Sequence, residues 1–96
     1  MMTAGATADP DSRPHLAPHV QFRFDARRDR WIVLAPERLL IPDEVAVEVL
    51  RRCTGSATFA EIVDDLSKSF VAPREEIARD VADLVRELSE KRILVW

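Results

Sequence analysis

Glycine is scarce: Gly5 and Gly55 are the only two in 96 residues. A glycine-rich phosphate loop is therefore excluded, and with it the usual nucleotide-binding fingerprints. One cysteine, Cys53, allows neither an internal disulfide nor, by itself, a cysteine metal cluster. No apolar run approaches the roughly 18–20 residues a membrane span needs, so no membrane partner is expected. The N-terminus has no charged-then-apolar signal pattern, which makes a cytoplasmic location the default. Charge of neither sign dominates: 14 Lys and Arg stand against 17 Asp and Glu, a net −3. That argues against binding nucleic acid or anionic lipid through a general basic field.

What is present suits one small folded domain. The chain is 47% hydrophobic and 32% charged, enough to build a core. Residues 1–18 hold Pro10, Pro14 and Pro18 and almost no large apolar side chains, and are expected to form a flexible tail or linker. The folded domain is then expected over residues 19–96.

Val20 to Asp25 alternates apolar and polar residues, the period of a half-buried strand. Arg30 to Ala35 is apolar on both faces and suits a central strand. Arg38-Leu39-Leu40-Ile41, bracketed by Pro36 and Pro42, reads as a short edge strand. Three helices follow. Asp43 and Glu44 open the first, Val45, Ala46, Val49, Leu50 and Cys53 form its apolar stripe, and Gly55 stops it. Thr58 and Glu61 form a capping box ahead of Phe59, Ile62, Val63, Leu66 and Phe70. Pro73 starts the third helix, whose core stripe is Ile77, Val81, Leu84 and Leu88, with Lys91 and Arg92 expected in its last turn. Ile93 to Trp96 is a short apolar end that packs back as a strand or cap. The fold class is α+β: a three-stranded antiparallel sheet followed by three helices.

Catalytic constellations are missing. His15 and His19 have the i, i+4 spacing of a metal pair on a helix, but Pro14 and Pro18 oppose a helix there, and solvated histidines are the simpler account. Cys53 falls on an apolar stripe with no histidine in the folded part to activate it, which favours a buried structural thiol. Asp64-Asp65 and Glu75-Glu76 occupy helix faces opposite the core, as solvated carboxylates do. No enzyme activity and no cofactor or metal is expected.

Taken in order, Arg30-Trp31-Ile32-Val33-Leu34, Pro36-Glu37, Ala46, Val49-Leu50-Arg51-Arg52-Cys53-Thr54-Gly55, Thr58 with Glu61-Ile62 and Leu66, and Ile77, Asp80-Val81, Leu84 and Leu88 resemble the pyrroloquinoline quinone biosynthesis protein D (PqqD) family. The resemblance covers nearly all of Val20 to Val95. It departs at Ile41-Pro42-Asp43, where members often carry Leu-Asn, and at Lys91-Arg92, where many have a glycine. The resemblance implies a winged helix-turn-helix-like fold, known in this setting as a RiPP recognition element. It also implies a non-catalytic peptide chaperone that binds the ribosomal precursor peptide PqqA and presents it to the radical SAM enzyme PqqE, which links a Glu to a Tyr in that peptide. Some members are fused to PqqC, and residues 1–18 would suit such a linker or an ordinary chain terminus.

The residues allow a mechanism of their own. An edge strand at Arg38, Leu39, Leu40 and Ile41 offers unpaired backbone groups to which a peptide can add a strand. On the third helix a stripe of mostly small residues, Ala78, Ala82, Val85 and Ser89, lies beside the core stripe of Val81. It would leave a trough for partner side chains, or merely permit close packing on another helix. The flank carrying Asp80 and Glu87 looks a poor apolar wall. Arg23, Arg27, Arg28, Arg30 and Arg38, against Asp25, Asp29 and Glu37, could steer an acidic peptide or simply be solvated.

Two rivals remain. A winged helix-turn-helix DNA-binding regulator would read with the third helix, but five cations there face six carboxylates, a poor phosphate footprint, so no nucleic-acid partner is expected. A plain dimerisation module would pair free strand edges between copies, giving a monomer or weak homodimer.

Overall fold

The computed structural model describes residues 9–96. In chain order the elements are β1 (His15–Leu16), β2 (Gln21–Asp25), β3 (Arg30–Ala35), β4 (Arg38–Leu40), α1 (Glu44–Arg52), α2 (Phe59–Ser67), α3 (Arg74–Glu90) and β5 (Leu94–Val95). β2, β3 and β4 form an antiparallel sheet with β3 central, and three helices follow it: the α+β arrangement read from the sequence. The register sets Phe22 opposite Val33 and Val33 opposite Leu40, so these three share the face that packs on the helices. Leu34 and Leu39 pair on the other face.

The β3–β4 turn is Pro36-Glu37. Proline fixes its own φ near −65°, and Glu37 takes φ 61°, the pairing a type II turn requires, with a side chain where glycine is usual. Asp43 then caps α1 by accepting the Ala46 amide at 2.8 Å. Ala46, Val49 and Leu50 are buried, whereas Val45 is 51% exposed. At about 100° per residue Val45 sits a quarter-turn away from the Ala46–Leu50–Cys53 line, which takes it off the core stripe.

The α2 capping box is present as expected: Thr58 Oγ1 accepts from the Glu61 amide and Glu61 Oε1 from the Thr58 amide. Two more first-turn amides are satisfied from far away in sequence. The Phe59 N–H donates to the Ser12 carbonyl at 2.7 Å, and the Ala60 N–H to the Pro10 carbonyl at 3.1 Å. Gly55 N–H reaches the Pro14 carbonyl, Ala17 N–H reaches the Ile93 carbonyl, and β1 pairs antiparallel with β5. Pro14 is fully buried. Residues 9–18 are thus bound to the domain, not a tail beside it; residues 1–8 of that expected tail lie outside the described residues. Proline lacks an N–H but keeps its carbonyl, and here Pro10 and Pro14 supply acceptors to helix and turn amides.

In α3 the buried residues are Ile77, Val81, Val85 and Leu88. Leu84, expected in that stripe, is only half-buried, and Val85, expected in the shoulder, is fully buried. Leu84 and Val85 flank the stripe at similar angles, so periodicity alone does not choose between them, and the core fills the Val85 side. The helix ends at Glu90, so Lys91 is its cap and Arg92 lies beyond it. Arg92 N–H donates to the Ser89 carbonyl and Ile93 N–H to the Leu88 carbonyl at 2.8 Å, with Arg92 at φ 63°. This is a Schellman ending with arginine in the left-handed position where glycine is usual. It turns Ile93 and Leu94 into the core, where both are fully buried, beside Val33, Val49, Ile62 and Val63.

Candidate functional site

β4 pairs with β3 along one side only; among the described residues nothing bonds to its other side. Its two ends are marked by different surroundings. Just past its last residue, Asp43, Val45 and Ala46 of α1 face Glu76, Ile77, Asp80, Val81 and Leu84 of α3 across a recess of about 250 Å³, closed at its far side by Leu66, Phe70 and Ala72. At its first residue, Ala35 to Arg38 stand beside Lys91 and Arg92. The first hollow thus draws on the N-terminal two-thirds of α3 and the second on the residues just past its C-terminal end. The line α3 presents is Asp80, Leu84 and Lys91, spaced four and seven residues apart and so on one side of the helix.

This line is the flank that sequence patterning set aside as too acidic. Of the site residues expected from the sequence, Arg38, Leu39, Leu40 and Ile41 do lie at the free edge. Leu39 (54% exposed) and Ile41 (53%) stay open while Leu40 packs on the core. Val81 lines the recess from its buried floor. Ala78, Ala82 and Ser89 do not line it; Ala78 and Ala82 are partly buried against the core, and Val85 is within the core. The residues missed are Val45, Phe70 and Leu84. Each was read as core because it is apolar and near helical spacing, a pattern that does not separate the floor of a groove from its wall.

Exposed large apolar side chains concentrate here. Eight such residues stand out among the described ones, and Leu39, Ile41, Val45 and Phe70 all lie along β4 or the recess that follows it. Single exposed apolar residues need no explanation, but Val45 and Phe70 share one apolar recess, and Leu39 and Ile41 stand exposed on and just past the unpaired strand that leads to it, as at an interaction surface. A strand added to β4 would alternate its side chains between the recess face and the Leu39/Ile41 face.

The reactive side chains elsewhere do not assemble. Cys53 is buried, and burial pushes its thiol up to about 12, so it is a neutral thiol at physiological pH. His15 lies on β1, its Nδ1 at 3.0 Å from the Arg13 carbonyl. No cluster of three His, Cys, Asp or Glu that could hold a metal occurs among the described residues, and no helix among them is long and apolar enough to cross a membrane. Of the sheet arginines, Arg28 pairs with Asp25 at 3.5 Å. Arg52 ties α1 to α2 through Glu48 and Asp65; these bonds hold its proton more firmly and hold the Asp65 carboxyl below its ordinary range.

A small α+β module whose β4 edge is free, with an apolar, carboxylate-rimmed recess just past that strand, fits the class of peptide-docking domains. Comparison with known proteins narrows this. Residues 30–94 match the family described as Coenzyme PQQ synthesis protein D (PqqD). The chain is 42% identical over 94 residues to a "PqqA binding protein" of Rhodopseudomonas palustris (strain BisB5), covering 98% of this chain and 92% of that one. It is 38% identical over 84 residues to one of Xanthomonas oryzae pv. oryzae (strain PXO99A), covering 88% and 91%. Among solved structures, the PqqD truncation of Methylobacterium extorquens PqqCD, described as a functional, stand-alone RiPP recognition element, superimposes with a TM-score of 0.76 at 30% identity, covering 98% of this chain and all of that one. PqqD from Xanthomonas campestris matches at 0.57 and 38% identity, covering 94% of this chain and all of that one. The chain belongs to the PqqD family.

Proposed function

We propose that this protein is a non-catalytic peptide chaperone that binds the precursor peptide PqqA by strand addition to β4 and presents it to the radical SAM enzyme PqqE in pyrroloquinoline quinone biosynthesis. The observation that carries this is the unpaired β4 edge continued by the apolar track of Val45, Phe70 and Leu84. Backbone bonds along the edge give affinity, and pockets for alternate side chains give selectivity. The names of the relatives, PqqA binding proteins, and the recognition-element role of the M. extorquens domain support the reading. The protein works in the cytoplasm, as a monomer or weak homodimer, and an arrangement fused to PqqC would be compatible with it.

Titration of the 15N-labelled protein with PqqA tests it. Amides of Leu39 to Ile41, Val45 and Leu84 should shift and those of β4 should gain exchange protection, while Ile62 and Val63 stay quiet. β4 amides that remain unshifted and equally exchangeable would defeat strand addition here. Presentation is read separately: adding the protein should accelerate PqqE's cross-linking of PqqA, and an unchanged rate would remove that step.

A further inference from the structure

The surroundings of β4 are charged in opposite senses at its two ends. At the recess end Asp43, Glu76 and Asp80 line the wall and no cation does. Asp43 is engaged in capping α1, but Glu76 and Asp80 make no ion pair among the described residues. At the turn end Arg38, Lys91 and Arg92 gather against Glu37 alone. Lys91 is paired with Glu87 at 3.1 Å, whereas Arg38 and Arg92 make no ion pair among the described residues. Exposed charges on a protein surface commonly find a local partner, as Arg74 does with Asp64 at 2.8 Å. Two carboxylates without an ion-pair partner past one end of a free strand edge, and two such arginines at the other end, are a different pattern.

We propose that the β4 edge, with these charges at its two ends, reads charge order. A bound peptide strand lies with its carboxylates beside Arg38 and Arg92, and its cationic residues beside Glu76 and Asp80. This rests on strand addition at β4 and adds orientation to it. Ladder bonds and apolar contacts are largely indifferent to which end of a peptide meets which end of a short edge. The reverse placement, by contrast, sets like charges together at both ends, and such juxtaposition is how interfaces reject wrong arrangements. Because these groups are exposed, the discrimination should be about tenfold at low salt and fade as salt screens it.

Two end-blocked synthetic peptides of equal length test this: two glutamates, a β-branched apolar centre and two lysines in one, the same blocks in reverse chain order in the other. A nitroxide is placed at either end of each, and paramagnetic broadening is read on the protein amides. In both peptides the acidic-end label should broaden Arg38 and Arg92, and the basic-end label Glu76 and Asp80. The combined charge reversal Arg38→Glu, Arg92→Glu, Glu76→Lys and Asp80→Lys should invert this, with circular dichroism confirming the fold. Labels that follow chain direction instead of charge, or broaden both ends equally, overturn charge reading while leaving strand addition standing. Absence of any β4 shift with PqqA and with both peptides overturns strand addition and charge reading together.

Discussion

The amide of Phe59, the first residue of α2, is hydrogen-bonded at 2.7 Å to the carbonyl of Ser12, forty-seven residues earlier. With the Ala60–Pro10 bond it makes the N-terminal segment part of the helix cap. Removing residues 1–18 should lower stability by about 2 kcal/mol or more, since helix N-cap bonds contribute roughly 1 kcal/mol each. A chain begun at residue 19 with the unfolding midpoint of the full chain would show the segment to be dispensable.

Two turns carry side chains where glycine is easier. Arg92→Gly and Glu37→Gly should each stabilise by about 0.5–1 kcal/mol, the left-handed penalty exceeding the entropy cost of glycine in the unfolded chain. Alanine at either position retains the penalty and should give no gain. Urea denaturation of the four variants reads the difference.

Acid should loosen the α2 region first. The Thr58 amide and hydroxyl hold the Glu61 carboxyl below its ordinary 4.5, and Arg52 holds Asp65 below its ordinary 3.8. A carboxyl lowered in the folded state contributes stability above its unfolded value and loses it as pH falls through the folded one. Stability should therefore decline below about pH 4.5, and Glu61→Gln with Asp65→Asn should flatten that decline. Melting temperatures between pH 7 and 3 check the sign.

The two flanks of α3 should separate in binding. Leu84→Arg places a charge in the groove wall and should weaken PqqA at least about tenfold, the loss of one well-buried apolar contact and its replacement by a desolvated charge. Ala82→Arg, on the flank away from the recess, should leave affinity within about twofold, as interface-remote substitutions do. Calorimetric titration with circular dichroism as a folding control distinguishes them; equal losses would return the peptide to the Ala78–Ser89 side.

Cys53 should resist iodoacetamide in the native protein at pH 8 and react on unfolding, because burial keeps its thiol protonated. Rapid native alkylation would mean the C-terminal end of α1 opens readily.

The elements with strong local signals were legible in advance: the Thr58–Glu61 box, the Asp43 start, the alternating strand before Asp25 and the edge strand between Pro36 and Pro42. What escaped was set by contacts distant in sequence. β1 has two residues and no periodicity; it exists because Ile93 and Leu94 turn inward and leave β5 free to pair with it. The choice between Leu84 and Val85 as core was likewise settled by packing, and it decided which side of α3 lines the recess. An acidic flank looked unsuitable because charge was weighed residue by residue, whereas its carboxylates sit on the rim of an apolar hollow.

His15 and Val95 are register partners, and the residues just before His15 run on to the first turn of α2, so one short N-terminal segment clamps the C-terminal strand and a helix start together.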